Sequence, residues 1–240
     1  MVSVCVATHN GQKYIKEQLE SILSQLVPTD EVVVSDDGSS DNTLSIISGI
    51  NDSRVRVYQY AQPRKASHPH EYVCRNFQNA LQHAKGDYIF LSDQDDVWTP
   101  NKVEVCIRDL QDNDLVLHDF MHIDENGDVV RSLHYNGKFR RRNYFMRRGL
   151  YYGCAMAFRR CVLDYALPFP DKLILHDFWI GILAETLGKF YYEETPLLKY
   201  RVHSQNSSET SNPFYFKIWY RMNCLLDVIG RTVAYRFHGK

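Results

Sequence analysis

The first 110 residues alternate short apolar runs with longer stripes of apolar residues at helical spacing, and this order constrains the fold most. Val2 to Thr8 is almost wholly apolar, which suits a strand buried on both faces of a parallel sheet. Ile15, Leu19, Ile22, Leu23 and Leu26 then recur at helical spacing until Pro28. Residues 31–35 form a second β-branched run, and residues 54–60 alternate as a third strand. Between them, Asp41 is placed to cap a helix over Thr43–Ile50. Val73, Phe77, Ala80, Leu81 and Ala84 make the next stripe, with Gly86 expected just past its end in a left-handed turn. Residues 87–92 read as a fourth strand, and Thr99-Pro100 as the cap and first residue of a helix to Leu110. Four β-α units in succession predict an α/β fold with a mostly parallel central sheet flanked by helices.

Beyond Leu110 the pattern loosens. Residues 114–118 read as a strand, and Asp124-Glu125-Asn126-Gly127 as a hairpin turn with the residues that tolerate positive φ. Residues 151–158 suggest a strand, and His176 to Leu187 a helix that Gly188 ends. Short strands at 190–192 and 197–202 flank Pro196, residues 204–212 are a polar loop, and residues 213–240 read as one or two terminal helices. With 240 residues, 44% of them hydrophobic, one substantial core is expected. A net charge of −1 gives no global attraction to nucleic acid. The six cysteines form no C-x-x-C pair, which fits a reducing compartment. No basic n-region leads an apolar stretch at Met1, and no uncharged apolar run approaches ~18 residues, so a cytoplasmic protein is expected.

Ligands in parallel α/β sheets bind beyond the carboxyl ends of the strands. His9-Asn10, Asp36-Asp37 and the acids at 93, 95 and 96 all follow predicted strand ends, so three polar clusters converge on one edge. The run Asp93-Gln94-Asp95-Asp96 packs three carboxylates into four positions. Like charges this close oppose one another's ionisation unless a cation sits among them, and hard oxygen ligands suit Mg²⁺ or Mn²⁺ shared with substrate phosphates. Read alone, the run favours a solvated acidic turn with Asp96 capping the next helix, because short acidic motifs match by chance. Asp36-Asp37-Gly38 can hold a nucleotide through base and ribose contacts, or can simply be an Asp-rich turn. Beside the second acidic cluster the nucleotide reading is the stronger.

Three stretches, in order, resemble family-2 glycosyltransferases of the GT-A fold: Val4 to Gly11, Val34 to Thr43 and Leu91 to Trp98. The last, followed by Pro100-x-Lys102, is similar to bacterial enzymes of O-antigen and capsule synthesis, often rhamnosyltransferases. The resemblance covers roughly residues 2–205 and implies inverting transfer of a sugar from a nucleoside-diphosphate donor, a UDP-hexose or dTDP-rhamnose, to a glycan or polyprenyl-diphosphate-linked acceptor. It divides the chain into a catalytic domain at 1–212, with a nucleotide-sugar half at 1–110 and an acceptor half at 111–212, and a C-terminal segment at 213–240. Carried over, Thr8, Asn10 and Asp36 line the nucleotide pocket with Asp37 beside them, Asp93 approaches ribose or sugar, and Asp96 supports the metal or touches the donor. Asp95 is the expected ligand of Mn²⁺ or Mg²⁺, with His203 completing the site or remaining a surface histidine. Arg201 is the expected diphosphate clamp. Asp177 is the expected general base, with desolvation by the bound acceptor needed to offset the helix dipole. Gly153-Cys154 would line the acceptor site. The Q-x-x-R-W motif of processive members is missing from the sequence, so a single transfer is expected.

Residues 138–148 hold six basic residues and no acid, and residues 213–240 hold five basic residues, one acid and seven aromatics. Both suit peripheral contact with an anionic membrane surface, although a solvated loop and a core-packed helix are the ordinary outcomes. Three other functions compete. A sugar nucleotidyltransferase would show a Gly-rich, Lys/Arg-bearing loop after the first strand, where this chain has His9-Asn10-Gly11-Gln12. A non-catalytic sugar-nucleotide-binding module would have no need of Asp95, Asp96 and Asp177, and an RNA-binding protein is disfavoured by the near-neutral charge.

Overall fold

The computed structural model describes residues 1–62, 65–133, 151–203 and 214–238. Nine strands form one sheet in the order β3-β2-β1-β4-β8-β6-β9-β5, with β7 paired to β6. Strands β1 (Val2–Thr8), β2 (Glu31–Asp36), β3 (Val55–Gln59) and β4 (Tyr88–Ser92) are parallel, as the apolar runs predict. Helices α1 (Ile15–Leu23), α2 (Thr43–Ile50) and α3 (Pro69–His83) make the crossovers. Val4, Cys5, Val6 and Val32 to Val34 are fully buried, because β1 and β2 are covered on both faces.

The second half is mixed rather than parallel. β8 (Met156–Arg159) enters antiparallel between β4 and β6 (Leu115–Ile123). β6 pairs in parallel with β9 (Phe190–Arg201) and forms a hairpin with β7 (Val129–Leu133). That hairpin turns as expected at Asp124 to Gly127, with Gly127 at φ 92 and the Asp128 carbonyl accepting from Asp124 N–H at 2.9 Å. The two strands expected around Pro196 are one strand; its register against β6 jumps from the pair His118–Glu193 to Asp119–Pro196, which accommodates a residue with no N–H to give. The run 151–158 is not all strand, since Gly153–Ala155 coil into a 3-10 turn before β8. After β5 (Val97–Trp98) come α4 (Lys102–Asp109), and later α5 (Cys161–Ala166) and α6 (His176–Leu187). The expected terminal helices are one, α7 (Phe214–His238), whose Tyr220, Cys224 and Val228 are buried. The basic run 138–148 and the loop 204–212 lie outside the described residues.

Three local expectations are corrected. Asp41 does act at the start of α2, accepting from Thr43 N–H at 2.9 Å, but the cap position itself is Asn42. Helix α4 opens two residues after Pro100, with Asn101 at the cap and the Thr99 carbonyl taking the Lys102 N–H. Gly86 is not a left-handed helix stop. A Cβ there would lie 2.6 Å from the Ser3 amide nitrogen and 2.7 Å from the Val2 carbonyl carbon, so the glycine is needed because β1 passes too close. In contrast, a Cβ on exposed Gly49 in α2 meets nothing within 4 Å. Gly86→Ala should therefore destabilise by about 1–3 kcal/mol, while Gly49→Ala should stabilise by about 0.5–1 kcal/mol. Urea melts of both variants check this, and equal midpoints would contradict the packing given for Gly86.

Candidate active site

The parallel register aligns three strand ends on one edge. Thr8 pairs with Asp36, Asp36 with Gln59, and Val6 with Ser92, so the loops after β1, β2 and β4 emerge together. Their polar groups brace one another. Thr8 Oγ1 donates to Gln94 Oε1 at 2.6 Å, and the Thr8 carbonyl accepts from Asn76 Nδ2 at 3.1 Å. Gln94 also accepts from His9 N–H and donates to the His9 carbonyl, clamping the loop after β1 to the acidic run. Asn10 sits at φ 50 and accepts from Ser40 N–H at 2.9 Å. Asp36 is buried, with both carboxylate oxygens accepting from Ser39. Asp37 is half-buried, accepts from Gln62 Nε2 at 2.8 Å, and has its carboxyl pushed up by that burial.

A second register sets the acids. β5 pairs antiparallel with β9, Val97 opposite Lys199, so the turn before β5 faces the end of β9. The Arg201 N–H donates to Asp96 Oδ1 at 3.0 Å, and Asp95 Oδ2 lies 2.9 Å from His203 Nε2. The two expected metal ligands thus meet. Arg201 is 2% exposed, and its guanidinium donates to the carbonyls of Asp95, Asp124 and Glu125 and to Glu17 Oε2, while lying over the Tyr14 ring. These protein contacts anchor the acidic loop.

Asp93 and Asp96 turn the other way, toward Cys154. One potential ligand atom from each of the three lies within 4.8 Å of the others. Burial first, then Asp95 and Asp177, pushes the Asp93 carboxyl up to about 7. Burial, Asp95 and Asp93 hold Asp96 well above the carboxylate range, and its Oδ2 has no hydrogen-bond partner among the described residues. Lys102 is fully buried behind them. Its Nζ donates to the Cys154 carbonyl at 2.6 Å and lies 4.2 Å from the Trp98 ring centre, and burial lowers its pKa to about 8. A hard divalent cation suits this donor set: a carboxylate beside an imidazole, crowded buried acids, and one orphaned carboxylate oxygen.

Asp177 stands in the first turn of α6. Its Oδ1 accepts from Phe178 N–H at 2.7 Å, which favours the charged form, yet burial prevails and raises the carboxyl to about 6. The protein supplies by itself the desolvation expected from a bound acceptor. The neighbouring His176 stacks on Phe77 at 4.3 Å and presses on Gly153, where a Cβ would lie 2.8 Å from His176 Nε2. That contact seats the start of α6 beside the turn that carries Cys154 to the acids. Burial lowers His176 to about 3, so it is neutral.

Sequence reasoning missed Gln94, Gln18 and Lys102. Gln94 lies inside the acidic run, where its polar neighbours were the available signal. Gln18 is fully buried and donates to Ser92 Oγ and the Asp93 carbonyl. Lys102 was visible only as part of a motif, since lysine is seldom buried whole.

The Glycosyl transferase family 2 model matches residues 3–166, more than half of the chain. The chain is 28% identical over 191 residues to the Escherichia coli UDP-Glc:alpha-D-GlcNAc-diphosphoundecaprenol beta-1,3-glucosyltransferase WfgD, covering 77% of this chain and 70% of WfgD. S. aureus TarS 1–349, solved with UDP-GlcNAc, superposes with a TM-score of 0.65 at 20% identity, covering 98% of this chain and 73% of that one. The mannosyltransferase PcManGT from Pyrobaculum calidifontis, solved with GDP-Man and Mn²⁺, gives 0.60 at 17% identity, covering 100% of this chain and 76% of that one. The chain spans only 35% of the length of an uncharacterized Rickettsia felis glycosyltransferase to which it is 26% identical. The fold is that of the GT-A glycosyltransferases, and the chain belongs to glycosyl transferase family 2.

Proposed function

We propose that this chain is an inverting, metal-dependent glycosyltransferase that moves a sugar from a nucleoside-diphosphate donor, a UDP-hexose or dTDP-rhamnose, to a hydroxyl of a glycan or lipid-linked acceptor in bacterial surface polysaccharide synthesis. One observation carries the reading. A half-buried carboxyl, Asp177, is tuned to about 6 within electrostatic reach of Asp93, in the cluster that also contains the Asp95–His203 pair. A base titrating near neutral pH beside a cation-ready acidic cluster suits transfer from a diphosphate donor.

The chemistry follows from those positions. The loops after β1 and β2, braced through Gln94 and Ser39, hold the nucleoside, with Asp37 offering the more accessible carboxyl. Asp95 and His203 would hold Mn²⁺ or Mg²⁺, which when bound neutralises charge growing on the leaving diphosphate. Asp177 accepts the proton of the acceptor hydroxyl as its oxygen attacks the anomeric carbon from the face opposite the diphosphate. The bond from that carbon to the diphosphate oxygen breaks, the glycosidic bond forms, and the configuration inverts. Arg201 holds the acidic loop in place, donating to the Asp95 carbonyl and, through its backbone N–H, to Asp96 Oδ1. WfgD, by its name, uses a UDP-sugar and a diphosphoundecaprenol-linked acceptor, which supports the lipid-linked class here.

Asp177→Asn should lower transfer by about 10²–10⁴-fold while leaving the donor dissociation constant within a few fold. Retained activity would place the base elsewhere. The same variant tests the electrostatics without metal. The folded carboxyl titrates near 6, above its unfolded value, so its contribution to stability is full below the unfolded pKa and is lost as pH rises through about 6. Asp177→Asn should therefore be more stable than the parent at pH 8, by roughly 2 kcal/mol, and the two should converge near pH 4. Chemical melts at both pH values read this, and equal stability at pH 8 would contradict the burial cost. For the metal, Asp95→Ala should cut Mn²⁺-dependent donor affinity at least about tenfold by calorimetry. Parent affinity that is equal with and without Mn²⁺ would refute the assignment.

A further inference from the structure

Helix α7 is apolar on two faces, and among the described residues only one is covered. The inner face is anchored: Tyr220, Cys224 and Val228 are buried, Tyr220 Oη accepts from Ile174 N–H at 2.9 Å, and the Arg231 guanidinium donates to the carbonyls of Tyr165, Leu167 and Pro168. The outer face carries Met222, Leu226, Ile229, Val233 and Phe237, at 45%, 62%, 51%, 49% and 81% exposure. Steps of four, three, four and four residues put these five on one side of a helix, in a stripe about 22 Å long. Five large apolar side chains in a row on water are an interaction surface rather than scatter.

We propose that this stripe docks the enzyme on an anionic lipid surface, with α7 lying in the plane of the headgroups. No described helix is long and apolar enough to cross a membrane, so the face lies on the bilayer. Charge selects the occupant. Apart from Arg231, whose guanidinium is taken up by core carbonyls, residues 213–240 carry Lys217, Arg221, Arg236 and Lys240 against Asp227 alone, a net of +3. Anionic headgroups neutralise that charge, whereas a second copy of the chain would bring two segments of like sign together. The proposal rests on the glycosyl-transfer reading only for the benefit it confers, access to a lipid-linked acceptor; the stripe and its charge stand without it.

Vesicle co-sedimentation tests it, using phosphatidylcholine vesicles with and without phosphatidylglycerol. The parent should pellet with the anionic vesicles and release as salt rises. Leu226→Ser with Phe237→Ser, both at exposed positions, should lower the bound fraction by about tenfold or more. Two results overturn the proposal: no parent binding at low salt, or equal binding by the double variant. Concentration-dependent self-association of the parent, lost in the variant and without vesicle binding, overturns it in favour of a second copy. Calorimetry of donor binding runs alongside: a double variant that keeps donor affinity shows that loss of docking leaves the transfer site intact, and loss of donor affinity in the parent would strike the functional reading instead.

Discussion

The site depends on crowding buried carboxylates at the end of one strand. Asp93, Asp95 and Asp96 repel one another, and burial makes ionisation harder for Asp93 and Asp96. The protein manages this with fixed cations. Arg201 is driven into the interior and grips the loop through carbonyls, and Lys102 is buried behind it at the edge of losing its proton. Neither removes the orphaned oxygen on Asp96. The antiparallel pairing of β5 with β9 sets this loop against the end of β9, and a divalent cation bound there would offset the crowded charge.

The two halves of the sheet do different work. The parallel half is a rigid edge whose loops are cross-braced by Gln94, Asn10 and Asp36. The mixed half exists because β8 inserts antiparallel between β4 and β6. That insertion carries the 153–155 turn to the acidic cluster and, through the contact of Gly153 with His176, fixes the start of α6. Asp177 is therefore placed by sheet topology as much as by its own helix. Its raised pKa follows from that seating, since the Phe178 N–H alone would have lowered it.

Where periodicity was strong the fold was legible. The first four strands and their crossovers follow directly from apolar runs and helical stripes, and the strand-end acids marked the edge on which the polar loops gather. Legibility failed where a residue's role depends on what packs against it. Gly86 looked like a helix stop, and only the proximity of β1 shows that it is a close approach. Pro196 looked like a break between strands, but a register jump absorbs it. The burial of Arg201 and Lys102 was not legible, because charged residues are rarely buried and only tertiary contacts show these two as internal counter-charges. Asp177 was singled out by motif, but the sign of its pKa shift required knowing how it is seated.

The central claim is that Asp95 and His203 grip a divalent ion beside the donor diphosphate, facing Asp177. Anomalous diffraction from crystals soaked with Mn²⁺ and a nucleotide sugar measures it directly. The account predicts one manganese peak at Asp95 and His203, with the donor phosphates on its open side. A donor bound in the cleft with no manganese at those side chains would contradict it.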